Sequence, residues 1–143
     1  MKQLLLGLTL LATTSSFASY DLGNGGIFSK TDSNGIDICR MDIAFGENEK
    51  GEYTCTFSGF KRFIDPQDED TYMSDGLLVS GIVTLDKNHK VICVGSHLSL
   101  LRPVKDRATI TENNDGTIDI VLRSKVAFGE SSKVECKGMR RSN

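Results

Sequence analysis

The side chains of this 143-residue chain that could do chemistry are four cysteines, two histidines and a group of closely spaced carboxylates. The cysteines are Cys39, Cys55, Cys93 and Cys136. An even number of cysteines in an exported chain indicates two disulfides, whereas zinc needs closely spaced ligand pairs and the gaps here are 16, 38 and 43 residues. Of the three connectivities that four cysteines allow, we predict Cys39 with Cys55, on neighbouring strands, and Cys93 with Cys136.

Histidine chemistry rests on His89 and His97. His89 lies in a predicted turn, where exposure is expected. His97, in the stretch GSHLS, lies close to Ser96 and Ser99, which a base could activate. Neither serine is in a nucleophile elbow, and no third group can be assigned. Because an isolated strand histidine is usually structural or exposed, the sequence predicts no catalytic residue.

The carboxylates concentrate between residues 61 and 76, where they invite a calcium interpretation. The spacing of a helix-loop-helix calcium site is absent, so we predict a solvated acidic loop and expect no metal and no cofactor. Phosphate loops, dinucleotide fingerprints and metalloprotease motifs are missing as well. An enzyme is therefore less favoured than a non-enzyme. The acidic residues of this stretch are Asp65, Asp68, Glu69, Asp70 and Asp75.

The N-terminus has the pattern of a secretory signal peptide. A single charge precedes the apolar stretch LLLGLTLLA, and small residues follow up to Ala18. This predicts residues 1–18 as the signal peptide and 19–143 as one disulfide-stabilised β domain. A retained anchor or a buried first helix is the alternative, although the apolar run is short for a bilayer. We expect a secreted or periplasmic protein with no transmembrane segment in the mature chain.

Charge is distributed unevenly. Residues 19–75 hold 5 basic and 12 acidic side chains, whereas residues 76–143 hold 11 basic and 7 acidic ones. The net negative charge argues against a nucleic-acid binder. Arg102, Lys105 and Arg107 crowd a predicted connection between strands, and they are the candidate residues for binding a protein, a phosphate or a cell-envelope polymer. The plainer alternative is ordinary loop solubility.

Two stretches of the chain resemble each other and indicate an internal repeat. SNGIDICRMDIAFGE, at residues 33–47, is echoed by NDGTIDIVLRSKVAFGE, at residues 114–130. In both copies, alternating apolar and polar residues separated by turn residues predict a three-stranded meander. The predicted strands are 27–30, 36–45 and 52–60 in the first copy, 107–112, 117–128 and 133–137 in the second, and 77–85 and 91–101 between them.

Eight strands joined by short links predict an all-β fold, a single antiparallel eight-stranded sheet in a 3+2+3 meander. Closure into a barrel and folding into two packed layers would each shelter the sheet edges, and of the two we favour the barrel. One short helical turn is expected near residues 66–73, where Asp65 before Pro66 resembles a helix cap.

Turn chemistry also predicts strand register. A loop with Gly116 in the left-handed conformation places Ile110 opposite Ile120 and Ala108 opposite Leu122. Across residues 86–90, pairing Leu85 with Val91 places Gly81 opposite Gly95 and Val79 opposite His97. Two facing glycines indicate a sharp bend, a close approach of another backbone, or a groove, and we favour the bend.

The function that fits best is a binding module that contacts a protein or a cell-envelope component through its loops, including action as an inhibitor. A small extracytoplasmic hydrolase that uses loop carboxylates or His97 is the first alternative. A structural or assembly component of the cell envelope is the second.

Overall fold

A computed structural model describes residues 25–88 and 90–142, apart from the side chain of Glu69. These residues form eight antiparallel strands, each paired with the next, and the sheet closes into a barrel where the last strand pairs with the first. The all-β prediction is confirmed. The signal-peptide prediction lies outside the described residues, as does His89. The strands are β1 (Gly26–Thr31), β2 (Asp37–Glu47), β3 (Tyr53–Asp65), β4 (Asp68–Leu85), β5 (Val91–Ser99), β6 (Arg102–Glu112), β7 (Ile118–Val126) and β8 (Ser131–Arg141).

Inward-facing side chains fill the barrel. The largest fully buried residues include Phe28, Met41 and Phe57, which come from three successive strands. On β6 and β7, Ile110 lies opposite Ile120 and Ala108 opposite Leu122, so the predicted register is confirmed. Apolar side chains occupy most of the interior, and the buried polar residues among those described are Asp106 and Thr117. Among the described residues, no helix is sufficiently long and apolar to traverse a membrane.

The two disulfides exist, but the predicted pairing is wrong. Cys39 is bonded to Cys136, and Cys55 to Cys93. Cys39 and Cys55 do lie on neighbouring strands, yet the register places Cys39 opposite Lys61 and Cys55 opposite Phe45, which keeps the two cysteines apart. Each bond instead joins strands two positions apart: β2 to β8 across β1, and β3 to β5 across β4.

The helical turn predicted near residues 66–73 is absent. Pro66 and Gln67 form a two-residue loop between β3 and β4, in which the Gln67 N–H donates to the Asp65 carboxylate at 2.8 Å. The β3–β4 ladder continues to this loop, with Ile64 opposite Tyr72 and, after a register shift, Asp65 opposite Asp68. An Asp-Pro pair starts a tight turn as readily as a helix, and the aromatic and branched residues around it favour strands. The result is a hairpin arm, residues 60–76, of which residues 62–74 extend past the last β2–β3 pair.

The facing glycines of β4 and β5 have a clear steric reason. A Cβ atom on Gly81 would lie 1.9 Å from the Val94 carbonyl oxygen, and one on Gly95 would lie 1.9 Å from the Ser80 carbonyl oxygen. The glycines therefore permit a close approach of two backbones, rather than the bend that we favoured. Leu85 is opposite Val91 as predicted, but the described β4–β5 ladder ends at Ile82 and Val94. The predicted pairing of Val79 with His97 is therefore wrong, and Gly81 and Gly95 are in backbone contact without being a ladder pair. A shallow, open depression lies over the contact.

Up-and-down topology separates the turns into two sets. We call the end with the β1–β2, β3–β4, β5–β6 and β7–β8 connections the apical end, and the other end the basal end. At the basal end, Asn48, Asp86 and Asn113 begin turns closed by backbone hydrogen bonds between residues four apart. Gly116 has a φ of 78°, as the predicted left-handed turn requires.

Candidate functional site

Three residues at the apical end combine backbone strain with exposure of large apolar side chains. Leu100, Leu101 and Phe128 have φ values of 47°, 63° and 58°, and within the described residues they are the non-glycine positions with positive φ. Their exposed fractions are 94%, 92% and 106%. Bulky residues rarely adopt this conformation. The fold therefore presents its strained positions and its most exposed apolar side chains together.

The strain at the β5–β6 turn follows from its length. Ser99 pairs with Arg102, which leaves Leu100 and Leu101 as a two-residue hairpin loop. Positive φ at both loop positions defines a type I′ turn, which normally contains Asn-Gly. Leucine in the left-handed region costs roughly 1–2 kcal/mol per residue. Since both side chains are almost fully exposed, contacts within the barrel contribute little to offset this cost.

Phe128 shows how the two copies of the repeat diverge. Phe45 in the first AFGE stretch lies in β2 and packs edge-on against Phe57, with ring centroids 6.0 Å apart. Phe128 in the second lies in a turn, where the Gly129 N–H donates to the Val126 carbonyl at 3.2 Å. The predicted strand 117–128 is thus too long, because β7 ends at Val126.

The β5–β6 and β7–β8 turns are neighbours. The Ala127 N–H donates to the Pro103 carbonyl at 2.9 Å, which ties the Phe128 turn to the start of β6. Leu98, 71% exposed, lies opposite Pro103 on β5. Apolar side chains therefore protrude from both turns on the same side of the apical end. We call this set the apical surface: Leu98, Leu100, Leu101 and Phe128.

The basic candidates lie on a strand and not, as predicted, in a connection. Arg102, Lys105 and Arg107 belong to β6, because this strand begins five residues earlier than expected. Lys105 lies directly opposite Lys125, and Arg107 directly opposite Arg123. We call the exposed side chains gathered by this register the basic band: Lys105, Arg107, Arg123, Lys125 and Lys133.

The basic band is only partly neutralised. Arg107 approaches Asp86 at 4.0 Å, and Lys133 contacts Glu135. Hydrogen bonding by the Lys133 ammonium group lowers the pKa of Glu135, so this carboxylate stays anionic. The Lys90 backbone N–H is the main cause of the lowered pKa of Asp86. Within residues 25–88 and 90–142, Lys105, Arg123 and Lys125 form no ion pair. Like charges directly opposite each other destabilise a sheet, so the band is a second feature that the fold maintains at a cost.

The acidic stretch lies on the hairpin arm, which is formed by β3 and β4, the strands opposite β7 and β8 in the ring of eight. Asp68 accepts a hydrogen bond from the Thr71 hydroxyl at 2.6 Å, and this bond lowers the pKa of Asp68. In the described part of the chain, no group of three or more His, Cys, Asp or Glu residues could hold a metal ion. The arm carries five acidic and two basic residues, so its net charge is opposite in sign to that of the basic band.

His97 has a partner that sequence reasoning did not identify. Its Nδ1 atom lies 2.9 Å from Oδ2 of Asp106, a residue only 4% exposed. The pair could hold a histidine in a fixed orientation. Among the described residues, however, neither Ser96 nor Ser99 is hydrogen-bonded to His97, so the pair has no attached nucleophile. The hydrolase alternative stays a prediction.

Comparison with protein-family models, with curated proteins and with solved structures finds no match to this chain. A functional interpretation consequently depends on the geometry of the molecule itself.

Proposed function

We propose that this chain is an extracytoplasmic binding module whose apical surface contacts a protein or a component of the cell envelope. The observation that carries the proposal is the coincidence of strain and exposure at Leu100, Leu101 and Phe128. Backbone strain persists where the surrounding structure enforces it, and it concentrates at sites of function. Two disulfides, typical of extracytoplasmic proteins, together with the predicted signal peptide, support a secreted or periplasmic location.

The energetics favour a contact role for these side chains. A large apolar side chain gains nothing from protruding into water, whereas burying it against a partner contributes about 1.5–3 kcal/mol. Turns held rigidly in the binding conformation also reduce the entropy lost on association. The barrel supplies that rigidity, because the β5–β6 ladder continues to Ser99 and Arg102, immediately beside the loop. Inhibition of the partner would follow if these tips enter its active-site cleft.

Affinity capture tests the proposal. The oxidised protein is immobilised and exposed to an envelope extract of cells that express it, beside the variant Leu100→Asn/Leu101→Gly. We expect a component that the wild-type protein retains and that the variant loses. A matched control is Tyr53→Ser, which removes a side chain that is 69% exposed at the basal end, and it should keep the component. Equal retention by all three proteins would contradict the proposal.

A further inference from the structure

We infer that the partner of the apical surface is an anionic lipid surface, with the apolar tips in the outer hydrocarbon region and the basic band against the headgroup phosphates. This inference rests on the proposed function and specifies its partner class. It depends on three observations: the shape of the apolar surface, the spacing of the charges behind it, and the side of the barrel on which both lie.

The apolar surface protrudes and is not concave. Leu100, Leu101 and Phe128 are each more than nine-tenths exposed, and they lie at the tips of two separate turns. The central residues of protein interfaces are usually packed in complementary pockets. Fluid hydrocarbon needs no such complementarity, because lipid chains rearrange around each inserted side chain. A lipid surface can therefore accept these protruding tips without a shaped pocket, whereas a protein partner would have to supply one.

The basic residues lie at a suitable distance behind the tips. Lys105 follows Leu101 by four residues along β6, and Lys125 precedes Phe128 by three along β7 and the turn. At about 3.3 Å per strand residue these separations correspond to roughly 10–13 Å. The headgroup region of one leaflet is about 5–8 Å thick, and a lysine side chain extends toward it. Shallow insertion of the tips therefore places both ammonium groups near phosphates.

Phosphates would also remove the electrostatic conflict within the sheet. Lys105 faces Lys125, Arg107 faces Arg123, and Arg123 faces Lys133 on the next strand. In the free protein these like charges repel each other. An array of lipid phosphates supplies several negative charges in one plane, which suits a row of cations on a sheet better than a single carboxylate does.

The acidic arm sets the orientation. Asp65, Asp68 and Asp70 lie on the hairpin arm, on the other side of the apical end from β7 and β8. The arm also carries Lys61 and Arg62 at its base, but residues 60–76 hold five acidic and two basic side chains. An anionic surface therefore repels the arm, with its net negative charge, and attracts the basic band. The barrel is therefore expected to lean on its β5–β8 side, with the arm directed away from the lipid.

Vesicle sedimentation tests the inference. The oxidised protein, exported by its expression host so that every variant has the same N-terminus, is mixed with vesicles of phosphatidylcholine alone or with added phosphatidylglycerol. We expect the protein to bind anionic vesicles, with an affinity about tenfold or more higher than for neutral vesicles. At about 1 M salt, where the Debye length falls to about 3 Å, the affinity for anionic vesicles should fall by a similar factor. Leu100→Asn/Leu101→Gly and Lys105→Gln/Lys125→Gln should each lose about tenfold or more in affinity.

Two controls match these variants. Tyr53→Ser removes an exposed aromatic side chain, and Lys50→Gln/Lys87→Gln removes two exposed lysines, in each case at the basal end. Both should bind anionic vesicles as the wild-type protein does. A circular dichroism spectrum and intact disulfides confirm that each variant is folded.

The remaining outcomes separate the inference from the proposed function. If vesicles are not bound, but an envelope component is still captured in a Leu100- and Leu101-dependent manner, the lipid inference is overturned and an acidic protein or polymer is the partner. Vesicle binding that the apical and the basal variants retain equally also overturns the inference. If neither vesicles nor a captured component depends on the apical surface, both proposals fail.

Discussion

Replacing Cys39 and Cys136 with alanine is expected to lower the free energy of unfolding by about 4–5 kcal/mol. The bond joins residues 97 positions apart, so its loss releases a large loop in the unfolded chain. It also joins β2 to β8 across β1, where the described residues close the barrel through the pairs Phe28 with Arg141 and Ser29 with Arg140. Denaturant unfolding followed by circular dichroism measures the change.

The second disulfide provides the comparison. Cys55 and Cys93 are 38 positions apart, and the same loop-entropy argument gives about 4 kcal/mol. This bond lies across β4, which has a long ladder with β3, so barrel closure does not depend on it. We expect the Cys39→Ala/Cys136→Ala variant to be the less stable of the two. The reverse order would contradict the view that the β1–β8 seam is the weak point of the barrel.

Replacing Leu100 with asparagine and Leu101 with glycine is expected to raise the free energy of unfolding by about 1–2 kcal/mol. The left-handed conformation costs each leucine roughly 1–2 kcal/mol, and Asn-Gly is the preferred pair for this turn. Glycine has more backbone freedom in the unfolded chain, and this lowers the expected gain in the free energy of unfolding by about 0.5–1 kcal/mol. Thermal and denaturant unfolding of the variant measure the gain.

A conservative variant separates strain from side-chain loss. Leu100→Ala/Leu101→Ala removes the apolar side chains but keeps a Cβ atom at both positive-φ positions, so little or no stability should be gained. If the Asn-Gly variant is no more stable than the wild-type protein, the turn is not strained and the main support for the proposed function is lost. If it is more stable but no longer binds, stability and function oppose each other at this loop, as expected for a functional site.

Strand order and much of the register could be predicted from the sequence, because apolar alternation and turn residues are local signals. The Asn-Asp-Gly turn placed Ile110 opposite Ile120, and the structure agrees. Extending that same register by a few residues would have placed Arg107 opposite Arg123 and Lys105 opposite Lys125. The basic band is therefore predictable from the sequence only when register is combined with charge, because its cations come from three different strands.

The disulfide pairing could not be derived in the same way. β2 and β8 lie far apart in sequence, and they become near neighbours only when the barrel closes around β1. Pairing Cys39 with Cys55 assumed that neighbouring strands bring cysteines together, yet the register separates them along the ladder. Barrel closure is a property of the whole sheet, which local sequence patterns do not determine.

The sequence did not predict the apical surface, in part because the two AFGE stretches have identical residues but different conformations. In the first AFGE stretch the β2–β3 ladder continues to Glu47 opposite Tyr53, which keeps Phe45 in a strand. In the second, the β7–β8 ladder ends at Lys125 opposite Ser131, and Phe128 turns outward. Likewise, nothing in the sequence of Leu100 and Leu101 signals a turn, since the hairpin enforces there a conformation that leucine disfavours.

A single fluorine label tests most directly whether the apical end is the contact surface. The chain has no tryptophan, so Phe128→Trp and Tyr53→Trp each introduce one site for 5-fluorotryptophan, at the apical and the basal end. Fluorine NMR in an envelope extract then compares the chemical shift of the label in H2O and in D2O. An exposed label shows a difference between the two solvents, the solvent isotope shift, and a buried label does not. Contact through the apical end predicts that this shift disappears at position 128 and persists at position 53. Persistence at position 128 together with loss at position 53 would contradict the account.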